Sequence, residues 1–187
     1  MKYAALLLVG LFGCSSSSGS NETNAPDGSA TADDFVAAAT DFDCLQNSEW
    51  TTVGLSKYKN TLGHTDEMLA VARSLDGGTL PVGTIVQLVP GEASVKRGTG
   101  FNAASNDWEF FSLGTTASGT TITARGGGAN VVNFTGSSCL SCHAKAAPQW
   151  DLICGDESGG NTHGCDALPL PGATLASLQT TDPRCHD

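Results

Sequence analysis

The sequence contains few basic residues. Only 9 of its 187 residues are Lys or Arg, against 19 that are Asp or Glu, and the formal net charge is −10 at pH 7. Proteins that bind nucleic acid carry clusters of Lys and Arg that displace phosphate counterions, so this class of partner is excluded. Long apolar runs are also missing, whereas a membrane-spanning helix needs about 20 apolar residues. The composition is therefore typical of a globular domain and not of a multi-span membrane protein.

A short apolar run near the N-terminus has the form of an export signal. Ala4–Phe12 follows a basic start, is too short to span a bilayer, and fits the apolar core of a signal peptide. Gly13 and Cys14 come next, and the segment resembles a bacterial lipobox. This resemblance implies a lipoprotein signal peptide over residues 1–13 and acylation of Cys14. The alternative is an ordinary signal peptide with a chance cysteine.

Residues 14–33 are almost wholly small or polar, which predicts a flexible tether between the lipidated Cys14 and one domain over residues 34–187. The acyl chains on Cys14 would bind the lipid bilayer. In lipoproteins of Gram-negative bacteria, Ser in place of Asp after the lipidated cysteine implies the outer membrane. Since Ser15 follows Cys14, we expect the protein on the periplasmic side of the cell envelope.

The domain is predicted to have an α+β fold, with a mostly antiparallel β-sheet packed with a few short helices. Its elements are marked by apolar residues at helical spacing and by β-branched runs between Gly and Pro residues. Close turns between neighbouring strands favour antiparallel pairing. Helices are expected over residues 34–45, 65–76 (stopped by Gly77-Gly78) and 138–149, and strands over 83–89, 107–113, 120–125 and 131–134.

Seven cysteines are present, which is many for a chain of this size and suggests disulfides, a metal or a covalent cofactor. Two of them lie in Cys139-Leu-Ser-Cys142-His143, the attachment pattern of c-type haem. Two thiols on one helical turn can each form a thioether to one porphyrin, and His143 can then supply the proximal imidazole to the iron. The sequence therefore predicts one covalent haem c on a helix near the C-terminal part of the domain.

Two other uses of this motif remain open. A zinc site would need further ligands, which Cys154, Cys165 and His163 could provide. A thioredoxin-like redox pair would need a βαβ pattern around the two cysteines, and the sequence has none.

The order of elements around the motif resembles the cytochrome P-460 family, which includes the β-sheet cytochromes c′. One strand opens with Gly83-Thr84, an aromatic strand covers Trp108–Phe111, and Asp151–Ile153 follows the motif. The resemblance covers about residues 50–153 and leaves the disulfide-rich tail over residues 154–187 outside. It implies an antiparallel sheet that packs against helices and carries one haem c.

The resemblance also implies roles for particular residues. Cys139 and Cys142 would be the attachment points, and His143 would be the proximal iron ligand. Many members of the family leave the sixth iron position open and bind nitric oxide, carbon monoxide or hydroxylamine. Members that oxidise hydroxylamine carry a lysine cross-linked to the haem, and Leu88 stands at that position here. The cross-link is not expected, and hydroxylamine oxidation is disfavoured.

A sixth iron ligand would change the chemistry, and Met68 is a candidate for it. Met68 lies on the apolar face of a predicted helix, so core packing is the competing interpretation. Further candidates are His64, His163 and His186.

Aromatic and basic side chains could complete a haem pocket. Three phenylalanines could either line a distal pocket or belong to the core of the sheet, namely Phe101, Phe110 and Phe111. Three cations could either pair with the haem propionates or lie on a solvated surface, namely Lys96, Arg97 and Arg125.

Four cysteines remain, and they allow three pairings into two disulfides. We favour Cys154–Cys165, because its short loop closes easily and would contribute roughly 3 kcal/mol by chain entropy. Cys44–Cys185 then follows and would fasten the C-terminus to the start of the domain.

The sequence thus predicts an exported, lipid-anchored mono-haem c-type cytochrome that transfers electrons or binds a small gas ligand. Its expected partners are the bilayer and an unidentified redox protein or gas. Two alternatives stay open. One is a haem enzyme of the peroxidase or nitrogen-oxide-converting type. The other is a haem-free binding lipoprotein stabilised by disulfides and zinc.

Overall fold

A computed structural model describes residues 34–155 and 161–185. The predicted signal peptide over residues 1–13, the lipidated Cys14, the tether over residues 14–33 and His186 lie outside the described residues. Within the described ranges, no helix is both long enough and apolar enough to cross a membrane.

Six antiparallel strands form one sheet, and each strand pairs with the next one along the chain. The strands are β1 (Thr51–Val53), β2 (Ser56–Asn60), β3 (Thr84–Gln87), β4 (Glu92–Lys96), β5 (Trp108–Thr116) and β6 (Gly119–Gly126). The α-helices are α1 (Thr65–Ala72), α2 (Cys139–His143) and α3 (Gly172–Thr180). This architecture confirms the predicted α+β fold with a mostly antiparallel sheet.

The sheet buries apolar side chains on both faces, because alternate residues of a strand point to opposite sides. On β5, Phe111 belongs to one core cluster with Phe42 and Ile85. Its neighbour Phe110 belongs to a second cluster on the other side of the sheet, together with Cys139 of α2. The Cys139–His143 motif therefore packs on the second face.

The predicted helix over residues 34–45 is wrong, because only a 3₁₀ turn forms there, over Ala39–Asp41. The carboxylate of Asp34 accepts hydrogen bonds from the guanidinium of Arg97 and from the backbone N–H of Gly98, which holds the segment against the sheet. The amphipathic spacing of this segment reflects burial against the sheet rather than a helix.

Two other boundaries differ from the sequence prediction. The helix expected over residues 138–149 ends at His143, and a separate 3₁₀ helix begins at Pro148. The strand expected over residues 131–134 is reduced to a single bridge between Val132 and Ser138. Four elements had no sequence prediction: β1, β2, β4 and α3.

Candidate functional site

Helix α2 brings the motif into a single turn. The Ser138 hydroxyl accepts a hydrogen bond from the backbone N–H of Ser141 at 3.3 Å, which caps the N-terminus of the helix. The backbone N–H of Cys139 donates to the carbonyl of Val131 at 3.0 Å and fixes the start of the turn near the sheet. Cys139 is buried and Cys142 is partly exposed, and neither of them forms a disulfide.

The motif lines a cleft of about 180 Å³ between the second face of the sheet and the C-terminal tail. Cys139, Cys142 and His143 all line this cleft. The sheet side contributes mainly apolar and hydroxyl side chains, namely Ser56, Val86, Leu88, Ser94 and Phe110. The tail contributes the Cys154–Cys165 pair and the segment 166–169. One concave and largely apolar site therefore contains all three residues of the attachment motif.

His143 is held in an orientation that suits an iron ligand. Its Nδ1 lies 2.7 Å from the carbonyl oxygen of Leu152, and its ring centroid lies 5.0 Å from that of Phe110. A carbonyl can only accept, so Nδ1 carries the proton and Nε2 has the lone pair that a metal requires. Burial lowers the pKa of His143 below its usual 6.5, against the opposing effect of the Leu152 carbonyl. The neutral imidazole, which is the ligating form, is favoured.

The cleft also contains acidic groups. Burial raises the pKa of Glu92, although its Oε1 accepts a hydrogen bond of 2.6 Å from the backbone N–H of Phe134. Burial, followed by the charge of Glu92 and by Cys142, raises the pKa of the Cys139 thiol to about 12. In the absence of a bound group, Cys139 is therefore a neutral thiol at neutral pH.

Both disulfides favoured by the sequence are present. Cys44 is bonded to Cys185, and Cys154 is bonded to Cys165. The second disulfide removes two of the ligands that a zinc site would have needed. Among residues 34–155 and 161–185, no cluster of three or more His, Cys, Asp or Glu side chains could hold a metal ion.

The candidate distal ligands lie away from the cleft. Met68 is fully buried in the second core cluster with Trp108 and does not line the cleft. His64 is an exposed residue at the start of α1, 3.5 Å from Glu67. His163 stacks on the ring of Trp150 at a centroid distance of 3.7 Å and faces a different, smaller pocket.

Of the three candidate phenylalanines, Phe110 lines the cleft. Phe111 is buried in the core on the opposite face, and Phe101 packs under the guanidinium of Arg97. The core interpretation therefore holds for Phe111, whereas Phe101 is partly buried and belongs to neither core cluster.

All three candidate cations pair with protein carboxylates, and Lys96 and Arg97 are buried rather than solvated. Lys96 Nζ lies 2.8 Å from Asp151, and Arg97 bonds to both Asp34 and Glu109. Arg125 also bonds to Glu109. Carboxylates of the protein therefore hold Lys96 and Arg97 in buried positions, whereas the side chain at position 125 stays 30% exposed.

Sequence reasoning missed two contributors to the cleft. Glu92 lies on β4, which had no sequence prediction, because its short polar pattern gave no strand signal. Segment 166–169 lines the cleft because the Cys154–Cys165 disulfide holds the preceding residue there, and no local sequence pattern predicts that placement. Comparisons of the chain with family models, with curated proteins and with solved structures find no match.

Proposed function

We propose that this chain is an exported, lipid-anchored mono-haem c-type cytochrome that binds a small gas ligand or transfers electrons at a single iron. One observation carries the proposal. Within residues 34–155 and 161–185, the two cysteines outside the disulfides and the His143 imidazole, whose Nε2 is free to ligate, all line one largely apolar cleft. This donor set fits haem c, for which Cys139 and Cys142 would hold the porphyrin and His143 the iron. When bound, the haem supplies reversible iron redox chemistry and a site for small ligands.

The lining of the cleft supports gas binding as the leading role. Val86, Leu88 and Phe110 present apolar side chains that do not ligate iron and that exclude water. An apolar wall of this kind favours small uncharged ligands such as nitric oxide or carbon monoxide over anions, which the nearby Glu92 would repel. Since Leu88 lines the cleft, an apolar side chain also stands where hydroxylamine-oxidising relatives would place the cross-linking lysine.

Haem attachment is tested first, with the full chain expressed in a host that assembles c-type haem. We expect a haem-stained band under denaturing conditions, because thioether bonds survive unfolding. The double variant Cys139→Ser/Cys142→Ser should lose the stain. The control Cys154→Ser/Cys165→Ser removes two other cysteines of the same cleft and should keep it. A wild-type band without stain contradicts the proposal.

The ferrous spectrum with and without carbon monoxide then separates the two roles. A high-spin spectrum that shifts on addition of the gas supports an open iron position. A low-spin spectrum that carbon monoxide does not change would assign the protein to electron transfer with a sixth ligand.

The anchor is tested by fractionation of cells that express the full chain. Wild-type protein should partition with outer membranes, whereas Cys14→Ser should appear in the soluble periplasmic fraction because it has no thiol to acylate. Equal partition of both proteins contradicts lipidation at this cysteine.

A further inference from the structure

The carbonyl that orients His143 belongs to a backbone turn of unusual shape. Asp151 and Leu152 both adopt the left-handed conformation, with φ of 50° and 58°. A residue with a side chain rarely adopts this conformation, and two in succession persist only where surrounding contacts impose them. The turn follows the 3₁₀ helix Pro148–Trp150 and points the Leu152 carbonyl at His143 Nδ1.

Asp151 supplies those contacts. Its side chain is 1% exposed, and its Oδ1 accepts hydrogen bonds from Lys96 Nζ at 2.8 Å and from the side-chain amide of Asn106. Its Oδ2 accepts from the backbone N–H of Leu80 at 2.9 Å. One buried carboxylate thus ties the turn to β4, to the loop before β5 and to the loop before β3.

Further contacts hold Lys96 in this network. Its ammonium group also donates to the carbonyl of Asn106 at 2.8 Å and lies 5.3 Å from the ring centroid of Trp108. The three partners of Asp151 come from rigid parts of the sheet and its loops. Movement of the turn therefore requires a buried ion pair and two further hydrogen bonds to break.

We propose that Asp151 is a positioning residue that acts through the Leu152 carbonyl to fix the tautomer and orientation of His143 as an iron ligand. This inference rests on the proposed haem site. A carbonyl that accepts from Nδ1–H raises the basicity of the imidazole, which strengthens its bond to iron and favours the ferric state. Weakening of the Asp151 network should therefore loosen this hydrogen bond and raise the reduction potential.

The test compares Asp151→Asn with Asp182→Asn in the full-length haem-loaded protein. Asp182 is a control of the same kind, because it is also a buried carboxylate that bonds to a cation, Arg184, and accepts from backbone N–H groups, those of Leu45 and Arg184. Both variants should lose stability. Only Asp151→Asn should raise the reduction potential and shift the iron–histidine stretching band of the ferrous protein to lower frequency.

Asn106→Ala supplies a second, milder variant that removes one uncharged donor to Asp151, so the test remains available if Asp151→Asn does not fold. A potential and a stretching band that stay at wild-type values in the tested variants, despite lower stability, overturn the positioning role. Haem staining of the wild type comes first, and its absence overturns the proposed function and this inference together. A stained wild type with unresponsive variants overturns the inference alone.

Discussion

At the residue scale, buried charges decide how the strands are held together. Glu109 on β5 is almost fully buried, and its carboxylate lies 2.5 Å from Arg97 and 2.6 Å from Arg125. A charge in this environment is tolerated only while its partners remain, because burial removes the water that would otherwise solvate it. The cluster links β4, β5 and β6 and also reaches Asp34 through Arg97.

Substitution of Glu109 by Gln should lower the free energy of unfolding by about 3 kcal/mol, since it leaves Arg125 without its carboxylate and Arg97 with only one. Urea unfolding followed by tryptophan fluorescence measures the loss. The control is Glu49→Gln, because Glu49 lies 3.8 Å from Lys59 but its side chain is 71% exposed. That variant should change stability by less than about 1 kcal/mol. Equal effects of the two substitutions contradict the argument.

Asp34 gives the fold an acid-sensitive contact. Hydrogen bonds from the Arg97 guanidinium lower the pKa of Asp34 below its usual 3.8, against the opposing effect of burial. A carboxyl whose pKa is lower in the folded than in the unfolded state stabilises the fold above the unfolded pKa. That contribution is lost as the pH falls through the folded value.

We therefore expect the free energy of unfolding to fall as the pH drops below about 4. Asp34→Asn should be less stable than wild type at pH 7 and should show a shallower decline on acidification. Urea titrations at a series of pH values measure both slopes. Parallel curves for the two proteins would show that Asp34 is not linked to the acid transition.

At the scale of elements, the chain that follows α1 packs closely against the 3₁₀ helix Pro148–Trp150, which lies just after the Cys139–His143 motif. Gly77, with φ of +79°, lies just beyond α1, and a Cβ there would come within 2.1 Å of the Gln149 carbonyl oxygen. The next residue, Gly78, donates its N–H to that same carbonyl at 2.8 Å. Gly77 and Gly78 thereby fix the position of the 3₁₀ helix Pro148–Trp150 and of the turn that follows it.

The left-handed conformation alone costs a non-glycine residue about 1–2 kcal/mol. Gly77→Ala should destabilise the protein by more than this, because its Cβ would also collide with Gln149. Gly63→Ala is the matched control, because Gly63 also has a left-handed φ, of +87°, but has open space around its Cβ position. Thermal and urea unfolding compare the two variants. An equal loss of unfolding free energy in both variants would show that the contact with Gln149 does not contribute to stability.

At the scale of the whole molecule, the two disulfides of the described residues close loops of very different length. Cys44–Cys185 closes a sequence separation of 141 residues and joins the start of the described domain to its end. Cys154–Cys165 closes only 11 residues, but both its cysteines line the cleft. Chain entropy assigns roughly 5 kcal/mol to the long loop and roughly 3 kcal/mol to the short one.

Cys44→Ala/Cys185→Ala should therefore cost more stability than Cys154→Ala/Cys165→Ala. The effects on the cleft should rank in the opposite order, because only the short loop forms part of its wall. Unfolding free energies and carbon monoxide affinity, measured on both double variants, test the two rankings. A larger change in gas affinity in the Cys44/Cys185 variant would contradict the separation of roles.

The amino-acid sequence by itself determined the features that depend on spacing along the chain. The positions of Cys139, Cys142 and His143 within one helical turn follow from their numbering, and so do the short loop between Cys154 and Cys165 and the start of α1 at Thr65. The close turns between neighbouring predicted strands likewise indicated an antiparallel sheet. These features depend on helical and strand periods, which are local.

Only the tertiary structure decided the features that depend on residues far apart in the chain. In place of the expected first helix it formed an irregular segment with one 3₁₀ turn, bonded to Arg97 through Asp34, and it paired Lys96 with Asp151. It also brought Leu88 to the wall of the cleft and placed the Leu152 carbonyl against His143. No local pattern encodes such contacts, because buried charges and carbonyls take the partner that the folded sheet places within reach.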